Sequence, residues 1–257
     1  MLYNIVLAFG FAKRDFKERY VGTGLGQLWY LISPVITILI YTVIFSDVMK
    51  RKLDIVDNSY SYSIYIVSGL LAWISFSRTL TILSNLVAQK SNLIKKINVP
   101  MYVFYLSVFI TESILLFLSM SLGVLFLIII EYHVDFTFLW MLPIVILQMI
   151  FVLGLGVIIS LFMPFLKDIK EVLPIVIQLW FWMTPIIYIK EMVASKYPFI
   201  FIFNPFYYYV HLYQNIFLYA KSPTLYEIII ITSISFSTLS LAAFLYKKMI
   251  STIKDII

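Results

Sequence analysis

Residues 24–46, 62–88, 101–130, 138–165, 172–189 and 225–246 are long apolar runs, and together they fill most of the 257-residue chain. The hydrocarbon core of a bilayer is roughly 30 Å thick and takes about 20 helical residues to cross. All six runs reach or approach that length, and no soluble stretch large enough for a separate domain remains. The chain therefore reads as an all-α, polytopic membrane protein: six transmembrane helices in a single transmembrane domain, residues 1–257. Apolar residues make up 62% of it and charged residues 12%, far from the soluble balance. Function has to be sought in what interrupts the runs.

The cysteine count is zero, which excludes disulfides, thiolate metal sites and a cysteine nucleophile. No cleavable signal peptide is expected, because the apolar run after the first basic residues is too long and lacks a small-residue cleavage pattern. The net charge of +6 reads as cytosolic loop charge, not as a nucleic-acid surface. Lys13, Arg14, Lys17, Arg19, Lys90, Lys95, Lys96, Lys167, Lys170, Lys247, Lys248 and Lys254 fall on one side of the expected topology. Lys50, Arg51, Lys52, Lys190, Lys196 and Lys221 fall on the other, partly offset by Asp54, Asp57, Glu131 and Asp135. The richer side is cytosolic by the positive-inside rule, so both termini are expected inside.

Residues 1–22 are not a span. Leu2, Ile5, Phe9, Ala12, Phe16 and Tyr20 recur at spacings of three and four, with Lys13, Arg14 and Lys17 opposite. That pattern predicts an amphipathic helix in the cytosolic interface, open either to a partner or simply to lipid headgroups. Gly22, Gly24 and Gly26 permit a sharp corner into the bilayer, and Pro34 is expected to kink the first span. Residues 190–220 are external yet rich in Phe, Ile and Tyr, and Asn204-Pro205 interrupts them. Two short re-entrant helices between spans five and six account for this, since irregular backbone at depth must be packed in protein or line a water path. A seventh span here would put Lys247, Lys248 and Lys254 outside, against the charge rule.

Catalytic chemistry has little to work with. His133 and His211 are the two histidines and share no ligand spacing. There is neither a Gly-x-Ser-x-Gly elbow nor a Gly-x-x-x-x-Gly-Lys-Ser/Thr loop, so ATP cannot be held in the P-loop manner. No metal, cofactor or catalytic residue is expected on this chain. Ion coupling usually shows more mid-membrane carboxylates than the single Glu112. Arg78 and Glu112 lie 17 residues either side of about residue 95, at equal depth in antiparallel neighbours. Either they pair, or Arg78 faces a channel and draws a phosphate-bearing headgroup. Trp73, Phe76, Trp180, Trp182 and Tyr188 fall in outer halves of spans and offer flat faces to sugar rings, unless they are ordinary interfacial residues. The hairpin at residues 89–100 carries an apolar face of Leu93, Ile94 and Ile97 beside Lys95 and Lys96, suited to docking into a partner's groove.

Several motifs occur in a telling order: Arg14-Asp15 and Arg19-Tyr20, Gly24-Leu25-Gly26, Trp29 and Pro34, then Gly69-Leu70-Leu71-Ala72-Trp73. Asn92-Leu93-Ile94-Lys95-Lys96 before Val99-Pro100, Lys167-Asp168-Ile169, Thr184-Pro185-Ile186-Ile187-Tyr188 and Asn204-Pro205 follow. In these the chain resembles the membrane subunit of ABC-2 polysaccharide exporters, the permeases for O-antigen, teichoic acid and related glycans; Val99 departs from the Phe many relatives carry. The resemblance implies a homodimer around a central channel, in a bacterial inner membrane, above two copies of a separate ATPase that binds ATP and Mg. It implies ATPase coupling through Asn92, Leu93, Ile94, Lys95, Lys96 and Ile97, and through the N-terminal helix with Lys13, Arg14 and Arg19. It implies external gate helices carrying Phe199, Phe201, Asn204, Pro205 and Tyr207, and a lipid-linked glycan as cargo. Rival classes are an ABC permease for another lipid or drug, and an ion-coupled carrier without an ATPase.

Overall fold

The computed structural model describes residues 2–48, 58–96, 99–190, 193 and 196–256. Lys50, Arg51, Lys52, Asp54, Asp57, Ile97 and Glu191 lie outside the described residues, as do the side chains of Asn92, Ile94, Lys95 and Lys96. Among the described residues the elements are all helical: α1 Leu2–Glu18, α2 Trp29–Thr42, α3 Ser61–Ser84, α4 Leu86–Lys96, α5 Tyr102–Ile129, α6 Met141–Phe162, α7 Ile169–Met183, α8 Phe199–Ile202, α9 Pro205–Tyr219 and α10 Leu225–Ile256. Gly22 and Gly26 adopt positive φ at the corner between α1 and α2, a conformation that costs a residue without a Cβ little. Pro34 sits inside α2, which runs on to Thr42 and ends in a π turn at Val43–Val48.

Among the described residues, five helical stretches are long and apolar enough to cross a membrane: Gly26–Ser46, Ser61–Ser84, Tyr102–Ile129, Phe136–Phe162 and Leu225–Ile253. The run expected at 172–189 takes another form. Its helix, α7, stops at Met183 after 15 residues, about 22 Å at 1.5 Å per residue and short of the hydrocarbon thickness. Pro185 stops it: proline has no N–H to donate and drives the residue before it out of the helical region. Thr184 accordingly sits at φ −104°, ψ 128°.

α3 is the axis of the bundle and is buried along most of its length, with α5, α6 and α9 packed around it. It is studded with Ser61, Ser63, Ser68, Gly69, Ser75 and Ser84, and small residues let helix backbones approach closely. α6 is clamped between α3 and α10 at Gly154 and Gly156. A Cβ on Gly154 would lie 2.7 Å from the Thr238 backbone, and one on Gly156 would lie 2.4 Å from the Leu83 Cβ. α2, α7 and α10 lie outside this core with large apolar side chains exposed, among them Leu31, Leu39, Ile175, Leu179 and Phe244.

α1 runs beside the start of α5, with Asn4 against Tyr102 and Ala12 against Thr111. Of its apolar residues, Ala8 and Ala12 are buried, while Ile5 and Phe9 point outward. Two alanines allow the tighter helix contact, and the larger side chains lose nothing by facing lipid.

Candidate functional site

Two polar centres lie inside the bundle, at different levels of α3. The first surrounds Glu112, whose side chain is completely buried. Arg78 Nε donates to its Oε2 at 2.9 Å and Arg78 Nη2 lies 2.8 Å from the same oxygen as an ion pair, and Arg19 Nη2 donates to Oε1 at 2.6 Å. α3 and α5 deliver Arg78 and Glu112 at matching depth. The glycine corner after α1 brings Arg19 back against them, with Tyr30 stacked on Phe16 at 4.3 Å and the Arg19 guanidinium 6.0 Å from the Tyr30 ring centre. Burial works against the charge on Arg19, but the Glu112 carboxylate outweighs it and raises its pKa above the ordinary value. Arg19, assigned above to ATPase coupling, is thus an internal ligand of Glu112. Counting residues between α3 and α5 locates Arg78 and Glu112. It could not locate Arg19, which is 93 residues from Glu112 and reaches it through a corner with no periodicity.

The two arginines of this centre border different cavities. One, of about 320 Å³, is lined by Asp15, Glu18, Arg19, Gln89 and Lys90 and lies between α1 and the start of α4; there Lys90 Nζ is 3.7 Å from Asp15 Oδ1. The other lies on the Arg78 side, between α2, α3 and α5. α4 itself buries Leu86 and Val87, and Leu93 packs half-buried against the core. Lys13 is exposed, and Arg14 pairs with Glu18 at 3.6 Å on the surface.

The second centre is neutral. Asn204 caps α9, its Oδ1 accepting from the N–H groups of Phe206 and Tyr207 at 3.1 and 3.2 Å and from Trp180 Nε1 at 2.7 Å. Its Nδ2 donates to Thr184 Oγ1 at 2.9 Å and to the Met183 carbonyl at 3.2 Å. The end of α7 and the start of α9 are thereby fastened together. The bend that follows α7, residues 184–188, hangs on α3 and α9 by its carbonyls. Tyr62 Oη donates to Ile187, Tyr65 Oη to Pro185 and Tyr188, and Gln214 Nε2 to Pro185 at 2.9 Å. Sequence reasoning missed Tyr62, Tyr65 and Gln214, and met Thr184 only as part of a motif. A signal existed: two tyrosines three apart at the head of a span, and the adjacent amides Gln214 and Asn215 in a mostly apolar helix.

The aromatic set divides. Trp73 and Phe76 are buried, not free to line a path: Phe76 lies 4.1 Å from Phe206, 5.1 Å from Trp180 and 6.1 Å from Phe151, ring centre to centre, and Trp73 lies 5.4 Å from Phe206. α9, folded back into the bundle, covers their faces. Trp180 is half-buried with its N–H committed to Asn204. Tyr188 is half-buried and donates to the Trp182 carbonyl at 3.1 Å. Trp182, 58% exposed, keeps an open ring. Around α8 and the start of α9, Phe199 is exposed and Phe201 and Tyr207 are buried. Pro205 takes the first position of α9, where its missing N–H costs nothing. Tyr207 also borders an open cleft of about 470 Å³ with Lys190, Tyr208, His211, Tyr226 and Glu227; Lys190 Nζ sits 5.1 Å over the Tyr207 ring and His211 Nε2 is 3.4 Å from Glu227.

Comparison with known proteins bears on what such a bundle is. Residues 8–218 match the profile of the ABC-2 type transporter. The chain is 28% identical over 210 residues to an O-antigen export system permease protein RfbA of Klebsiella pneumoniae, covering 80% of this chain and 79% of that one. It is 27% identical over 187 residues to the O-antigen export system permease protein RfbA of Myxococcus xanthus, covering 71% and 68%. A helical membrane bundle whose family match runs from α1 into the end of α9 is a transporter membrane subunit, and the chain belongs to the ABC-2 type transporter family.

Proposed function

We propose that this chain is the permease subunit of an ATP-driven exporter that moves a lipid-linked, O-antigen-like polysaccharide across the bacterial inner membrane. The observation that carries this reading is the likeness to O-antigen export permeases over about four fifths of the chain. Two copies form the channel, and two copies of a separate ABC ATPase dock from the cytosolic side, where both termini lie. The absence of a P-loop in the sequence supports a separate ATPase, and the uncovered apolar faces of α2 and α7 support a second copy. α4 and α1 form the docking side. The hairpin of α8 and α9 is the external gate, and Trp182 is the ring most open to a passing sugar.

Deleting the gene for this chain in its host tests the reading. The expected result is loss of surface glycan with lipid-linked glycan retained inside the cell, restored by the intact gene. Normal surface glycan together with sensitivity to a drug or loss of another envelope lipid would assign the chain to a different cargo. A purified chain that transports under an ion gradient with no ATPase present would overturn the ATP-driven mechanism.

A further inference from the structure

Glu112 carries one negative charge and meets two guanidiniums, so its centre keeps an excess positive charge inside the bundle. Arg78 spends Nε and Nη2 on a single oxygen, Oε2, and its side chain is still 37% exposed. The exposed part borders a cavity of about 60 Å³ between α2, α3 and α5, where Ser33, Thr37, Ser75 and Ser119 also reach the wall. No carboxylate lines it. Ser75 is 3% exposed and its Oγ has no hydrogen-bond partner. Thr42, Thr79, Ser84 and Ser113 carry unpartnered buried hydroxyls too, but of these five only Ser75 lines this cavity; Ser77, Thr81 and Ser119 return theirs to a carbonyl of their own helix. A buried hydroxyl without a partner and a guanidinium with a free edge border the same small space.

We propose that this cavity is a binding site for a phosphate group, held by the free edge of Arg78 and by Ser75. A tetrahedral oxyanion suits the donors: a guanidinium edge takes two of its oxygens in parallel and a hydroxyl takes a third. Its negative charge balances the excess on Arg19, Arg78 and Glu112, which a neutral ligand would leave in place. The volume is of the order of one phosphate group and is too small for a sugar ring, so the sugars of a glycan lie elsewhere. Arg78 is six residues inside the end of α3, about 9 Å along the helix axis. The phosphate is borne by a lipid, either a polyprenyl carrier or a bulk phospholipid, or is the free ion.

The proposal extends the export reading above to a subsite, and its test uses binding alone. The full-length chain in nanodiscs is offered polyprenyl phosphate or polyprenol, phosphatidylglycerol or diacylglycerol, and inorganic phosphate, and retained ligand is measured by native mass spectrometry. The phosphorylated member of a pair is expected to be retained at least about tenfold better than its unphosphorylated partner. Arg78→Gln should lower that preference about tenfold and Ser75→Ala about threefold. Ser75→Ala should leave Tm unchanged, since that hydroxyl has no internal bond to lose, and it keeps the test meaningful if Arg78→Gln folds poorly. The pair showing the preference names the lipid, and retention of inorganic phosphate without preference among lipids assigns the site to the free ion. Equal retention of phosphorylated and unphosphorylated lipids with no held inorganic phosphate, or retention indifferent to both substitutions, overturns the proposal. A host that exports normally without this chain would sink the export reading and leave these binding results standing.

Discussion

Asn204 and Glu112 are both removed from solvent, yet their surroundings are opposites. Around Asn204 every donor meets an acceptor and no charge is present. Around Glu112 one carboxylate is divided between two guanidiniums, and part of one guanidinium is left facing a cavity. A neutral network with its bonds complete fixes geometry and asks for nothing further. A buried cluster with a charge left over is costly to hold and attracts whatever cancels it. The contrast separates a joint, which fastens α7 to α9, from a receptor, which is incomplete until something binds.

The sharpest way to break that contrast is to remove the carboxylate. Glu112→Gln leaves two guanidiniums without a counter-charge and should cost about 3–5 kcal/mol, seen as a large fall in Tm or failure to purify as a folded species. A variant as stable as the parent would mean that water or lipid already compensates these arginines. Next, Asn204→Ala removes the cap of α9 and both tethers to the end of α7, for about 2–3 kcal/mol by thermal unfolding. Asn204→Asp keeps the accepting oxygen and should fall between it and the parent. Removing one arginine, by contrast, leaves a balanced pair. Arg78→Gln should therefore cost only about 1–2 kcal/mol, less than Glu112→Gln, and the reverse order would show that charge balance does not govern this centre. The smallest effect is expected from Trp180→Phe, which keeps the ring against Phe76 and loses one hydrogen bond to Asn204, about 1 kcal/mol in Tm measurements.

Legibility in the sequence followed the range of the interaction. The helical membrane class and most of the spans rest on apolar length, which is written contiguously and needs no tertiary information. Arg78 and Glu112 could be matched because a tight turn makes depth a matter of counting. The run at 172–189 reads as one continuous stretch because apolarity continues through Pro185, while the helix stops at Met183. Trp73 and Phe76 were misplaced in an aromatic path for a related reason. Whether a ring in a span faces a pore, lipid or protein depends on what folds over it, and α9 folds over these. Arg19 joined Glu112 through a non-periodic corner, where no spacing rule operates.

The bend after α7 is gripped by Tyr62, Tyr65 and Gln214 at its carbonyls. Carbonyls are the same whatever residue bears them. Drift in the identity of Ile187, which is half-buried, would leave those three grips intact, whereas loss of either tyrosine hydroxyl or of the glutamine amide would not. Ile186 is held by packing as well, since it is fully buried in the core. The constraint on this joint is thus shared between the two helices that hold it and the side chains that the bend itself buries.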